Sequence, residues 1–301
     1  MTVLYECTYR DRRHWGFGMP DDDGPLYLRR PHDGYGDALC RRVPAAQGDS
    51  ASLHAELIAA SVEVVVPAAE RATVRFRPPL LPDNPGEAMV SGFMQTHNVK
   101  VDENTQSQPN WFLKGLGDVL RVPGEPLAVP AGAHAVCEEA EIVLVHVTDE
   151  RGVPRYAGYT FGNDLTDIGR FKRHAGHLSY AKLCDAAVAP FLFPGDPPSS
   201  VEGRVKIIRQ GTEAWQGGFA TGTKALHYGL DEMMSGLFAH PALLYPGRVH
   251  YVFIGADRSS YHAGFRIVDG DHVTVEFTGA GVTVSNTISW PGWVADRAHA
   301  Q

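Results

Sequence analysis

The chain has 301 residues, 44% of them hydrophobic, with 27 basic and 35 acidic side chains and a formal net charge of −8. Such a length accommodates one large or two medium domains. The basic residues cluster only briefly, at Arg10-Asp11-Arg12-Arg13 and Arg41-Arg42, which disfavours nucleic acid as a partner. Cys7, Cys40, Cys137 and Cys184 show no Cys-x-x-Cys spacing, no basic apolar leader opens the chain, and no apolar run is long enough to cross a bilayer. The expectation is a soluble cytoplasmic protein with reduced thiols and no membrane partner. Its 32 glycines and 21 prolines point to many turns and a β-rich fold.

Residues 1–80 read as a smaller N-terminal unit, with 81–301 as the main domain. Val3 to Tyr9 is strand-like and Asp21-Asp22-Asp23-Gly24-Pro25 is a turn. Ser52 to Ala60 has helical composition with Leu53, Leu57 and Ile58 on one face, and Val62 to Val66 and Thr73 to Phe76 are short strands. Pro78-Pro79-Leu80-Leu81-Pro82 is expected to form a stiff, extended connector. Ser91 to His97 reads as a polar loop carrying a lone histidine, and Asn98 to Pro109 as a long loop of the kind used for lids. Trp111 to Gly115 resumes order, and Val122 to Pro126 is a turn.

The carboxylates Glu139 and Glu141 are two residues apart, and on a strand that spacing puts both on one face. The β-branched run Ile142 to Val147 follows, then a turn over Asp149 to Pro154, then Tyr156 to Phe161 as a returning strand that ends at Asp164. Such a hairpin brings Glu139, Glu141 and Asp164 to one rim of a sheet. Like charges at that spacing raise one another's pKa unless they are neutralised, and a hard divalent cation with oxygen ligands is the usual means. The plain alternative is a pair of solvated charges opening an edge strand. Lys182 lies in apolar surroundings as a candidate cation beside the carboxylates, with a snorkelling surface lysine as the alternative. His174 and His177 have helical i, i+3 spacing, which could suit a metal, but no matching Cys, Asp or third His lies nearby.

Arg204 to Trp215 reads as a hairpin, Lys224 to Phe238 as the best helix, and Val249 to Ile254 and His272 to Phe277 as strands. There is no Gly-x-Ser-x-Gly elbow, no phosphate-binding glycine loop ending in Lys-Ser/Thr, and no His-Glu-x-x-His. A serine hydrolase, a P-loop enzyme and a zincin are therefore disfavoured.

Glu139-x-Glu141, Gly158-Tyr159-Thr160-x-Gly162-Asn163-Asp164, Lys182-x-x-Asp185 with Pro190, and Asp269-Gly270-Asp271-His272-Val273-Thr274-Val275-Glu276 together resemble the fumarylacetoacetate hydrolase superfamily. The similarity runs from about residue 79 to residue 290. It implies a β-rich α/β (α+β) fold: a mixed β-sandwich or roll catalytic domain beside a smaller N-terminal β-rich domain. It also implies Glu139, Glu141 and Asp164 as ligands for Mg²⁺, with Mn²⁺ or Ca²⁺ as substitutes, and Lys182 against the bound substrate. Thr96-His97, Gln108-Pro109-x-Trp111-Phe112-x-Lys114-Gly115, Glu138-Glu139-x-Glu141-Ile142 and Leu178-Ser179-x-x-Lys182-Leu183 resemble the 2-keto-3-deoxy-L-arabinonate dehydratase-like branch.

That branch resemblance implies His97 as a lid histidine moving protons, with Glu103 as its nearest acidic partner. It further implies Lys114, Asn163, Tyr159 and Gly255 as substrate contacts, and a homodimer. Two departures stand out. Many branch members have Gly-Asn-Glu where this chain has Gly162-Asn163-Asp164, and the superfamily's Thr-Gly-Thr aligns with Ile254-Gly255-Ala256. Thr221-Gly222-Thr223 looks like that last motif but falls too early. The expected function is a divalent-metal-dependent enzyme acting on a 2-oxo acid through a stabilised enolate, dehydrating a 2-keto-3-deoxy sugar acid or analogue. A C–C hydrolase or decarboxylase of an acylpyruvate-like 2-oxo acid is the alternative, and a non-catalytic binding protein a third.

Overall fold

The structure, a computed structural model, describes residues 3–291 except 22, 33–37, 46–49 and 104. Asp22 of the expected turn and the side chain of Cys40 lie outside the described residues. The β-rich α/β architecture expected from the sequence is borne out. At its centre is a seven-stranded mixed sheet in the order Asn110–Leu116, Ala88–Met94, Val249–Phe253, Ala140–Thr148, Pro154–Asp164, Ala186–Val188 and Leu120–Arg121. Ala88–Met94 runs parallel to Val249–Phe253, and Ala186–Val188 parallel to Leu120–Arg121; the other neighbours are antiparallel.

All nine residues of Ala140–Thr148 are buried. Ile142 and Leu144 pack with Phe161, Val252 and Ile254 against Val205, Ile207, Val275, Phe277 and Val284 of a five-stranded sheet. Val143, Val145 and Val147 point the other way, into a cluster with Leu4, Trp15, Leu39 and Leu57 from the first 80 residues. A strand covered on both faces needs apolar side chains at every position, which is why its sequence is a run and not an alternation.

The N-terminal sheet is not built from the first 80 residues alone. Phe191–Leu192 pairs with Leu4–Tyr9 at its edge, in the register Leu4 with Leu192 and Tyr5 with Phe191. The proline segment differs from the expected extended connector: Leu81 N–H donates to the Pro78 carbonyl at 3.2 Å, and Leu80 is buried in the left-handed region with φ 63°. The cause is Glu6, a buried carboxylate that accepts from Leu80 N–H at 2.7 Å and from Arg13 Nε at 2.5 Å. Satisfying that charge outweighs the strain of one positive φ.

Two further expectations are corrected. Ile58 is exposed, so the buried face of the helix Ser50–Ala59 is narrower than Leu53, Leu57 and Ile58 suggested. The helix expected over Lys224–Phe238 forms only over Leu230–Phe238. Leu226 is instead drawn into an antiparallel bridge with His97, and His227 N–H donates to the Thr96 carbonyl at 2.7 Å. The apolar periodicity was real, since Leu226, Met233 and Leu237 are all buried, but extended pairing claimed its first part.

His146 and His250 face each other across neighbouring central strands, with the Phe238 ring 5.1 Å from one and 5.3 Å from the other. The Nδ1 atom of each is buried without a hydrogen-bond partner. Burial, and then the neighbouring His250, pushes His146 down to about 3; burial, and then Arg248, pushes His250 down to about 4. Both imidazoles are therefore neutral when folded but protonate near 6.5 once unfolded, so acid favours the unfolded chain. We expect urea-denaturation stability to fall as pH drops below about 6.5, by up to about 1.4 kcal/mol per pH unit for each histidine. His146→Phe should remove one such contribution between pH 6 and 4, which a pH series of midpoints for wild type and variant checks.

Candidate metal centre

The hairpin turns at Asp149–Val153 and returns its far end beside its beginning. Asp164 N–H donates to the Glu139 carbonyl at 2.9 Å, placing Asp164 next to the residue that leads into the first strand. Gly162 stands opposite Glu141 in this register. A Cβ there would lie 2.6 Å from the Ala187 carbonyl oxygen, so only glycine admits the neighbouring strand. One ligand atom from each of Glu139, Glu141 and Asp164 lies within 4.8 Å of the others.

Each carboxylate has its own support. Asn163 Oδ1 accepts from Glu139 N–H at 3.0 Å, and the Thr166 hydroxyl donates to Glu139 Oε2 at 2.8 Å. Gly255 N–H donates to Glu141 Oε2 at 2.5 Å. Gly255 has φ 94°, and a Cβ there would sit 2.1 Å from Thr96 Oγ1, so glycine is required on two grounds. Lys182 Nζ is bonded to Asp164 Oδ2 at 2.6 Å, Glu139 Oε2 at 2.7 Å and Thr166 Oγ1 at 2.8 Å, and lies 4.3 Å from the Phe112 ring centroid. From the other side, Lys114 Nζ is 2.7 Å from Asp164 Oδ1 and donates to the Leu165 carbonyl at 2.9 Å.

These neighbours set the carboxylates apart. Burial opposes ionisation of Asp164, but the ammonium groups of Lys114 and Lys182 outweigh it and hold its carboxyl below the usual range. Glu141 is raised well above its ordinary value by burial and then by the charges of Asp164 and Glu139. Burial disfavours the Lys182 ammonium, yet Asp164, Glu139 and Glu141 together raise its pKa. Without further positive charge, Glu141 is thus the strained member of the group.

The donor set fits a hard divalent ion. It consists of carboxylate oxygens alone, one from each of three residues and all within 4.8 Å of one another. Glu139, Glu141, Lys182 and Gly255 line a cavity of about 210 Å³, whose remaining wall includes Phe93, Gln95, Lys100, Phe171, Lys172 and His262. Gln95 has φ 54° at the end of the strand Ala88–Met94, a backbone departure of the sort that gathers at functional sites.

Other residues singled out in the sequence lie elsewhere. His97 is buried rather than loop-borne, its ring nitrogens 3.1 Å from Thr96 Oγ1 and 3.1 Å from Thr221 Oγ1, and it does not line the cavity. Burial, reinforced by Lys100, pushes its pKa down to about 4. Thr221, set aside as part of a misplaced motif, is therefore one of its two partners. Glu103 is exposed. Tyr159 is half-buried in the apolar core, stacked on Phe193 at 5.3 Å. Lys114 and Asn163 support Asp164 and Glu139 without lining the cavity. His174 and His177 stand with rings 5.0 Å apart, outside the cavity.

Sequence reasoning missed Thr166, which sits two residues past Asp164 and braces both Glu139 and Lys182. It also gave no role to Glu138, which accepts from Ser260 N–H at 2.6 Å and Ser260 Oγ at 2.5 Å, with burial raising its pKa to about 7. Through Ser260, Glu138 fastens the turn Ser260–Ala263, which carries His262 to the cavity. Alternation offered a signal here, since Glu138 has the opposite parity to Glu139 and Glu141. Lys100, Lys172 and His262 converge only through folding.

No family model matches the chain, and no curated protein matches it in sequence. Solved structures do match its fold. A 2-keto-3-deoxy-D-arabinonate dehydratase in apo form has TM-score 0.69 at 15% identity, covering 96% of this chain and 99% of that one. The same enzyme complexed with magnesium and 2,5-dioxopentanoate has TM-score 0.66 at 16% identity, with 96% and 99% covered. A 5-carboxymethyl-2-hydroxymuconate delta-isomerase from Mycobacterium smegmatis has TM-score 0.62 at 20% identity, with 96% and 100% covered. The chain has the fold of the fumarylacetoacetate hydrolase superfamily, and structural neighbours of that fold are enzymes.

Glu141→Gln should keep the Gly255 contact, remove the strained charge and abolish the Mg²⁺-induced rise in melting temperature, while the metal-free protein melts at or above wild type. Asp164→Asn should instead leave the buried Lys114 ammonium without a carboxylate and Lys182 with Glu139 alone, and cost about 3–5 kcal/mol of stability. Calorimetric melting of both variants with and without Mg²⁺ checks the contrast.

Proposed function

We propose that the protein is a divalent-metal-dependent enzyme that dehydrates a 2-keto-3-deoxy sugar acid or a close analogue. The observation that carries this reading is the grouping of Glu139, Glu141 and Asp164 around Lys182, with Glu139, Glu141 and Lys182 lining a cavity of about 210 Å³ and Asp164 buried behind them. Glu139, Glu141 and Asp164 would hold the ion, which supplies Lewis acidity toward the oxygens of a 2-oxo acid. A volume equal to about seven waters suits a small acid of a few carbons.

The chain's own residues do the rest. Lys182 presents a fixed ammonium beside the cluster, so charge developing on the C2 oxygen as a C3 proton leaves meets a preorganised cation. Thr166 and Asn163 hold Glu139 in place, and Gly255 N–H holds Glu141. In dehydration, the C3 proton and the C4 hydroxyl leave together as water, with no other co-reactant. The dehydratase complexed with magnesium and 2,5-dioxopentanoate supports the choice of this reaction among those the fold serves.

Proton NMR in D₂O with Mg²⁺ tests the reading. We expect loss of a β-hydroxyl from a 2-keto-3-deoxy acid. Pyruvate appearing with a carboxylic acid would replace dehydration by C–C hydrolysis, and the absence of turnover and of C3 deuterium exchange in every 2-oxo acid offered would overturn the proposal.

A further inference from the structure

The far side of the cavity carries positive charge that the reaction at the carboxylate cluster does not use. Lys100, half-buried at the end of the 3-10 turn Asn98–Lys100, and Lys172, exposed on the helix Ile168–Arg173, both line the cavity. Among the described residues, neither has a carboxylate within ion-pair distance. They come from segments more than seventy residues apart, in a chain with a net charge of −8. Two unpaired ammonium groups brought to one cavity in an acidic protein call for an anion.

The metal end does not supply that anion. The negative charges of Glu139, Glu141 and Asp164 are largely matched by Lys182 and Lys114, and a divalent ion makes the cluster positive. The carboxylate of a 2-oxo acid then balances it, leaving Lys100 and Lys172 uncompensated. His262 joins them on the cavity wall, its Nδ1 3.0 Å from Ser259 Oγ, on the turn that Glu138 fastens. Burial lowers the pKa of His262, Lys100 and Lys172 lower it further, and Glu139 opposes them.

We propose that Lys100 and Lys172, with His262 between the same walls, form an anion subsite, so that the substrate is a 2-oxo acid carrying a second anionic group remote from its oxo carbon. This rests on the reading of the cluster as a metal centre for 2-oxo acids and names the substrate class within it. A carboxylate and a phosphate share the needed chemistry. A sugar acid oxidised or phosphorylated at its far end would satisfy both requirements.

Isothermal titration calorimetry on the Mg²⁺-loaded full chain separates the two levels of the argument. The probes are 2-oxovalerate, 2-oxoglutarate and the phosphonate isostere of 2-oxoglutarate, which share one chain length and differ in the distal group. Wild type should bind at least one dianion tenfold or more tighter than 2-oxovalerate. The tighter of the two dianions identifies the distal group as carboxylate or phosphate. Lys100→Met/Lys172→Met should erase that preference, whereas Lys100→Arg/Lys172→Arg should retain most of it. Equal affinity of wild type for all three probes would overturn the anion subsite and leave the metal centre standing. No binding of any probe, 2-oxovalerate included, would overturn the metal-centre reading and the subsite with it.

Discussion

A single buried ammonium group holds the centre of this molecule together. Lys182 Nζ lies within 2.7 Å of both Asp164 and Glu139, which come from opposite ends of one hairpin, and its own backbone belongs to neither strand. Burying a charge without partners is prohibitive, so Lys182, Asp164 and Glu139 are each tolerable only because the others are present. Glu141 is the exception. It stands with the group but has only a backbone N–H as donor, and burial, followed by the charges of Asp164 and Glu139, raises its pKa well above the ordinary value. The ion pairs thus complete two-thirds of an acidic site and leave the last third to be completed by a ligand.

The scaffold explains how such a cluster survives. The strand that Glu139 and Glu141 introduce is sandwiched between two apolar clusters, so its position is fixed from both faces. Glycines at 162 and 255 let backbone approach where a side chain would collide, one opposite Glu141 and one bonded to it. The rigidity needed to hold like charges together comes from packing, and the charges themselves are placed where that packing ends.

Much of this was legible in the sequence because it depends on local pattern. The i, i+2 spacing of Glu139 and Glu141, the β-branched run and the turn at Asp149 specify a hairpin that returns to Asp164, and the structure has that hairpin. What depends on long-range pairing was not legible. Lys114 reads as a substrate contact until folding places it behind Asp164, and His97 reads as a loop residue until Leu226 and Thr221 enclose it. The apolar stripe of Lys224–Phe238 correctly marks buried residues, yet periodicity cannot show that the bridge to His97 takes Leu226 out of the helix. The basic wall at Lys100 and Lys172 has no local signature at all, since nothing in either segment refers to the other.

The most direct test of the central claim is anomalous diffraction from crystals of the protein grown with Mn²⁺, which substitutes for Mg²⁺ and scatters strongly. The account predicts one peak within about 2.0–2.6 Å of carboxylate oxygens from Glu139, Glu141 and Asp164 together, with Lys182 still paired to the cluster. A peak elsewhere, or a saturated crystal with none at these residues, would contradict it and make the cluster a buried ion-pair network without a metal.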